Sequence, residues 1–407
     1  MLSHLSGIAS DMTLSIVEPA PGLKEETGLP QLANAQQSLN CSGVPYTSGC
    51  SWDEFFQNFG KRPPIFGAFT SPAYSNIGYA LLGKVIENVT GKPYAQYLQD
   101  AIFKPTNMSR SSVGAPSNTS AAFIPAGTSW YGANLGYERS TGGVYSTNND
   151  LLRFGKAILS SHLLSPAKTR AWMKPRSFTS STGVFVGEAW EIVRGKNLTS
   201  DGHVIDIYTK TGNLYDYTNI LVLIPDYDLV LAMNLAGAQS SISEIQVLLS
   251  ALITQVLPVV DEIGKTTAAK KYTGTFTSGN DSSITLSVDD YGLLVTNFIA
   301  NGVNVSSGYS ALQGADVNTT IRLYPTDLSS GNRTSWRAIY QTSSAEELAS
   351  FSSELFFPDG SCQSWATISL PTYGMQSLDH FIFEQDKSGD LQSVEAKAWE
   401  IVYRRKK

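Results

Sequence analysis

The sequence predicts a two-domain protein. Residues 1–260 read as an α/β (α+β) domain with an antiparallel sheet and flanking helices. Residues 261–271 read as a linker, and residues 272–407 as an all-β sandwich or barrel. Three observations carry this reading. The chain has 407 residues, more than a single hydrophobic core usually serves. Hydrophobic residues are 42% and charged residues 16%, the balance of a packed globular protein. Near residue 265 the pattern changes from helical periodicity mixed with strands to short alternating segments separated by Gly, Asn and Asp.

The elements follow in chain order. Residues 20–70 are rich in Pro, Gly, Ser and Asn and read as loop. In "SNIGYALLGKVIENVTG" the apolar residues at 77, 81, 85 and 89, with 82 and 86, keep helical spacing. Ser75 is placed to cap its start and Gly91 its end. "KPYAQYLQDAIF" reads as a second helix with Pro93 in its first turn, and "TNNDLLRFGKAIL" as a third, capped at Thr147 or Asn148. "GVFVGEAWEIVRG", "HVIDIYTKTG", "YTNILVLIP" and "DLVLAMN" are separated by turn residues and predict an antiparallel meander. "SSISEIQVLLSALITQVL" predicts an apolar helix over that sheet, stopped by Pro258. "GKTTAAKK" reads as linker. Beyond it "SITLSVDD" and "GLLVTNFI" alternate as strands do, with no long helix.

Several function classes are excluded or disfavoured. The net charge is −6, and the only basic cluster, Arg404-Arg405-Lys406-Lys407, reads as a solvated tail, so no nucleic-acid surface is expected. The most apolar region, "NILVLIPDYDLVLAMNLAGA", is interrupted by Pro225, Asp226 and Asp228, so no membrane span is expected. The histidines at 4, 162, 203 and 380 have no zinc spacing, and no metal or cofactor is implied; His203 reads as a structural strand residue. There is no G-x-S-x-G elbow, no P-loop and no Gly-rich dinucleotide turn.

Compartment is read indirectly. Asn-x-Ser/Thr sequons stand at Asn40, Asn88, Asn107, Asn118, Asn197, Asn280, Asn304, Asn318 and Asn332, which favours a secreted glycoprotein. Cys41 and Cys50 lie close together in the early loop, and a local disulfide fits an oxidising compartment. Cys362 is left over. Residues 1–30 show neither the basic start nor the apolar run of a signal peptide.

Two short stretches point to chemistry: "YSNIG", with Tyr74 and Asn76 just before a helix, and "KTG", Lys210-Thr211-Gly212, late in a strand. Singly, each is more often structural. Together they resemble the serine β-lactamase and penicillin-binding-protein family, especially its class C, esterase-like branch. The likeness extends through "YSNIGYALLGKVIENVTGKPYAQYLQDAIFKPTNMSRS", "STGGVYSTNNDLLRF" and "YTKTGNLYDYTN", in the family's order and spacing. "LSHLSG" resembles the family's His-containing landmark, and the C-terminal region is similar to the β-rich appendage of secreted fungal members. The resemblance covers about residues 1 to 260 and implies a β-lactamase/transpeptidase-like fold there.

The resemblance also implies roles. The substrate would be a small molecule with an ester, amide, lactam or carboxylate, attacked by the serine of a Ser-x-x-Lys motif to form an acyl-enzyme. Tyr74 would shuttle the proton between serine and leaving group. Asn76 would hold the acyl side chain or the motif lysine through its amide. Lys210 would support that network and attract an anionic substrate, and Thr211 would hydrogen-bond a substrate carboxylate. Gly212 would keep the strand edge bare, and the Asn213 N–H would donate to the oxyanion. In the family, Ser-x-x-Lys precedes the His-containing landmark, which here starts at Ser3. The only such pattern in the chain, Ser165-Pro-Ala-Lys168, reads as a helix cap with Pro in the first position. The chain is therefore expected to be N-terminally incomplete, to show little serine-hydrolase activity, and to be poorly stable or to expose apolar surface. The alternative expectation is a non-catalytic protein that binds small carboxylates on the same scaffold.

Overall fold

The computed structural model describes residues 1–11, 28, 50–128, 130–279, 281–315, 318–343 and 364–406. It divides into two compact units, Met1–Leu198 with Gly202–Val256, and Thr199–Asp201 with Leu257–Lys407.

The first unit is built on six strands: β1 (Ser177–Phe178), β2 (Val184–Val186), β3 (Glu191–Gly195), β4 (Ile205–Leu214), β5 (Tyr217–Ile224) and β6 (Leu229–Ala236). They are hydrogen-bonded in sequence order and antiparallel throughout, so the meander forms as the sequence predicts. Two residues, Tyr215 and Asp216, join β4 to β5, with Leu214 opposite Tyr217. In β5 every residue from Ile220 to Ile224 is buried, so this strand is covered on both faces. The helix at 148–159 comes close on one of them: a Cβ on Gly155 would lie 2.9 Å from Leu223 Cδ2.

Helices α1 (Trp52–Phe59), α2 (Asn76–Thr90), α3 (Tyr94–Leu98), α4 (Asn148–Leu159) and α5 (Pro166–Trp172) precede these strands. Ser51 and Glu54 form a reciprocal capping box on α1. Ser75 caps α2 through the Gly78 N–H, and Gly91 ends it in the left-handed conformation with φ of 67°. Thr147 caps α4 through the Asp150 N–H. Ser165 stands at the N-cap of α5 with Pro166 in its first turn, as the cap reading of Ser165-Pro-Ala-Lys168 requires. Pro93 stands at the N-cap of α3, one position before the first turn where the sequence reading placed it, and the chain continues as a π-helical turn over Gln99–Phe103. Strand β4 begins at Ile205, so His203 lies just outside it.

The core face of α2 differs from the apolar stripe read from sequence. Its buried residues are Ile77, Gly78, Ala80 and Gly83, whereas Val85 is exposed and Val89 is 81% exposed. Small residues set the contact: a Cβ on Gly83 would lie 2.2 Å from the Ser140 Oγ. Close backbone approach outweighs side-chain hydrophobicity on this face.

The helix expected to stop at Pro258 runs on. α6 spans Ile242–Tyr272 with Pro258 inside it, and residues 261–271, expected as a linker, are its last turns. Lys265 pairs with Asp261 one turn back at 2.9 Å, and Lys270 and Lys271 complement the helix C-terminus. Ile245, Leu249, Ile253 and Leu257 form a buried stripe of four-residue period, while Val247, Leu248 and Leu252 are exposed. An 18-residue window of α6 has a mean hydropathy of 1.6, so by length and composition alone this helix, unlike the interrupted stretch at 219–238, is long and apolar enough to cross a membrane.

The second unit closes into an eight-stranded antiparallel barrel, which settles sandwich against barrel. Its strands are β7 (Gly274–Ser278), β8 (Ser282–Asp289), β9 (Gly292–Ala300), β10 (Thr320–Ser330), β11 (Arg333–Gln341), β12 (His380–Gln385), β13 (Leu391–Ala396) and β14 (Ile401–Arg405). The order β8-β7-β14-β13-β12-β11-β10-β9 is closed by the β8–β9 hairpin. Phe276, Phe298, Phe381, Phe383 and Tyr403 fill the interior, as a barrel of this size allows. The basic terminus is no free tail through Arg405. Its guanidinium lies over the Phe276 ring at 4.8 Å and donates to the carbonyls of Leu391, Thr273 and Lys271.

Candidate active site

Residues 1–11 bring the His-containing segment against the loop that carries Tyr74. The Ala73 N–H donates to the His4 carbonyl, the Phe69 N–H to Leu5, the Ile65 N–H to Gly7 and the Ile77 N–H to Ser10. Gly7 has φ of 70°, and a Cβ there would fall 2.0 Å from the Phe66 carbonyl oxygen, so only glycine fits. The buried Ser75 ties the two segments further. Its N–H donates to His4 Nδ1 at 3.0 Å and its hydroxyl to the Ala9 carbonyl at 2.7 Å.

Tyr74 contacts two groups of the site. Its ring stacks on the His4 imidazole with centroids 4.6 Å apart, and Lys210 Nζ lies 5.2 Å from its centroid on β4. Tyr74 as a residue is 50% exposed. Burial, followed by the positive charge of Lys210, holds the His4 imidazole down at about 4 against an ordinary 6.5. His4 is therefore a neutral platform at physiological pH, its Nδ1 free to accept the Ser75 N–H.

This carries a prediction about stability. The unfolded chain binds more protons than the folded one between about pH 6.5 and 4, so the His4 contribution is fully present above pH 6.5 and lost as pH falls toward 4. Discounted for solvent screening, it amounts to roughly 1–2 kcal/mol. Urea midpoints measured across that range should fall more steeply for the unmodified chain than for His4→Gln. Equal slopes would remove the assignment.

The Lys-Thr-Gly segment lies where β3 ends and β4 continues. β3 pairs with β4 only up to Thr209, opposite Glu191, whereas β5 stays paired to Leu214. One edge of β4 is therefore unpaired by β3 beyond Thr209. The Thr211 N–H points to that edge, and by strand alternation so does the Asn213 N–H. Glu191 reaches across this edge. Its Oε1 accepts from Lys210 Nζ at 2.8 Å, and its Oε2 from the Thr211 N–H at 3.0 Å and the Thr211 hydroxyl at 2.8 Å. Lys210 Nζ also donates to the Thr211 carbonyl at 2.6 Å.

The segment after the first helices is organised by Asp150, wholly buried in the first turn of α4. Its Oδ2 accepts from the Arg110 N–H and the Ser111 hydroxyl, and its Oδ1 from Arg153 Nη1 at 2.7 Å.

Of the residues singled out from sequence, the structure brings together Tyr74, Lys210 and Thr211. The Asn76 amide donates to Asp11 Oδ1 at 3.0 Å. Asn213 uses its side chain on the Thr218 hydroxyl, which leaves its N–H as the group aimed at the open edge. Gly212 also answers a packing constraint. A Cβ there would meet the Asn219 amide at 2.8 Å. Cys50 is disulfide-bonded, while Cys41 and Cys362 lie outside the described residues, as do Asn40 and Asn280. The sequon residues Asn88, Asn107, Asn118, Asn197, Asn304, Asn318 and Asn332 are all exposed. Sequence reasoning missed Glu191 and Asp150. For Asp150 a signal existed, an acid three residues after a Thr cap. For Glu191 there was none without the β3–β4 register.

The comparisons with known proteins agree with this layout. The family described as Beta-lactamase matches residues 20–247, more than half of the chain. The chain belongs to the β-lactamase family. A second family, described as Beta-lactamase-like-like, C-terminal domain, matches residues 264–407, the region of the barrel. A beta-lactamase-like protein of Arthroderma benhamiae is 28% identical over 96% of this chain and 70% of its own length. A probable hydrolase of Cochliobolus lunatus is 26% identical over 83% of this chain and 56% of its own length. The chain thus spans little more than half of that relative. Among solved structures, a β-lactamase/D-alanine carboxypeptidase of Yersinia pestis is similar, with a TM-score of 0.47 and 18% identity, over 63% of this chain and 68% of that one. A penicillin-binding-protein homologue of Pyrococcus abyssi covers all of this chain and 77% of its own, with a TM-score of 0.43 and 16% identity.

Proposed function

We propose that this chain holds the tyrosine and Lys-Thr-Gly half of an acyl-transfer site in a secreted, glycosylated hydrolase of small esters, amides or lactams. The attacking serine would come from residues other than these 407. The observation behind this reading is the placement of Tyr74 in contact with both His4 and Lys210, beside a β4 edge that presents the Asn213 N–H. In the proposed reaction the serine oxygen bonds to the substrate carbonyl carbon while Tyr74 Oη accepts its proton. The Asn213 N–H faces the developing oxyanion. Tyr74 then returns the proton to the leaving group as the carbonyl–leaving-group bond breaks.

Three further observations support the reading. Among the described residues the partners of Lys210 Nζ are Glu191 and the Thr211 carbonyl rather than a serine hydroxyl. The one Ser-x-x-Lys pattern is an α5 cap. The exposed Val247, Leu248 and Leu252 on α6 are an apolar face of the kind expected where more of the domain would pack. Exposed sequons and the Cys50 disulfide support secretion. A non-catalytic carboxylate binder is the weaker reading, because Glu191 already takes the Thr211 donors.

The test is labelling with a fluorescent fluorophosphonate. The 407-residue chain should remain unlabelled, and the protein carrying the family's Ser-x-x-Lys serine should label at that serine. Labelling of any serine within these 407 residues overturns the proposal.

A further inference from the structure

We infer that Glu191 is a built-in occupant of the site's anion-binding position, so that the site selects substrates that are neutral next to the reacting carbonyl and rejects carboxylates. The inference rests on the acyl-transfer reading for its location. It contradicts the role the resemblance implies for Thr211.

The donors that would hold a substrate carboxylate are the Thr211 hydroxyl, the Thr211 N–H and the Lys210 ammonium. A single carboxylate, that of Glu191, takes all three, at 2.8, 3.0 and 2.8 Å. The Thr211 hydroxyl has one hydrogen, and it faces both Glu191 oxygens, with Oε1 at 3.0 Å. An incoming carboxylate would find these donors used and a negative charge beside them. The positive charge of Lys210 is balanced within the protein, so the edge offers little attraction to anions.

The backbone that presents Glu191 is fixed on several sides. It opens β3 between two buried residues, Trp190 and Ile192. Its backbone pairs with Thr209, whose hydroxyl donates to the Glu191 carbonyl at 2.8 Å. Cross-strand geometry places its side chain diagonally opposite Thr211, on the same face. The preceding Ala189 N–H is tied to the Leu2 carbonyl at 2.9 Å, which anchors the turn before it. What stays open beyond Glu191 is the β4 edge around Asn213, where the neutral backbone N–H can meet an amide or ester oxygen.

Equilibrium binding tests this independently of turnover, so a failed catalytic reading and a failed selectivity reading are told apart. Fluorine NMR titrations would compare para-fluorophenylacetate with para-fluorophenylacetamide. The unmodified chain should bind the amide at least about tenfold more tightly than the carboxylate. Glu191→Gln, which keeps the volume and removes the charge, and Glu191→Ala, which vacates the position, should each reverse or abolish that preference. Melting curves would establish that each variant is folded, and one folded variant is enough. Equal binding of the two probes by the unmodified chain, an unchanged ratio in a folded variant, or binding of neither probe overturns the inference.

Discussion

Tyr74→Phe should lower the turnover of the protein carrying the family serine by about 10²–10⁴-fold, the range for loss of a positioned proton shuttle. The substitution removes one oxygen and keeps the ring. The ring makes the contacts that hold the loop in place: the stack on His4 at 4.6 Å and the approach of Lys210 at 5.2 Å. The variant should therefore melt at the same temperature as the parent and bind substrate comparably, with the loss confined to kcat. Ester hydrolysis followed at saturating substrate gives the number, and fluorophosphonate labelling should slow in parallel. Intact turnover with a folded variant would remove Tyr74 from the chemistry and leave it a packing residue between His4 and β4.

Asp150→Ala should destabilise the first unit by about 3 kcal/mol, toward the lower end of what removing one partner of a buried pair costs because Arg153 is partly exposed. The carboxylate is wholly buried and accepts from the Arg110 N–H at 2.8 Å and the Ser111 hydroxyl at 2.9 Å. Truncation leaves the Arg110 N–H without its acceptor in a part-buried position and removes a negative charge from the α4 N-terminus. Ser111 retains the Ser146 hydroxyl at 2.8 Å, which softens the loss on its side. Asp150→Asn, which can still accept from one or two of these donors, should recover about half of the deficit. Urea denaturation followed by tryptophan fluorescence compares the three proteins. A deficit below about 1 kcal/mol for the alanine variant would mean that water reaches the site and replaces the carboxylate.

Features decided by residues close in sequence were legible. Ser75 and Gly91 mark the ends of α2, Thr147 marks the start of α4, and Pro166 marks α5 as a capped peripheral helix. The turn at Tyr215 and Asp216 shows between two apolar runs, and the strand alternation beyond residue 272 was enough to expect an all-β domain. Legibility failed where a distant partner decides. Pro258 reads as a stop, yet α6 continues through it, with Leu257 wholly buried and Asp261 paired to Lys265. Val85 and Val89 read as core, yet the packed face of α2 is the one whose small residues admit Ser140.

The sequence by itself determined the order of elements, their caps and turns, and the motif residues Tyr74, Lys210 and Thr211, because these depend on backbone preferences and spacings within a few residues. Only the tertiary structure decided that β3 stops opposite Thr209 and so aims Glu191 at Thr211, or that Asp150 serves Arg110 and Ser111 from 40 and 39 residues away. Register and burial are properties of pairs brought together by folding. A carboxylate on a strand or in a helix's first turn carries no mark in its own neighbourhood of the donors it will meet.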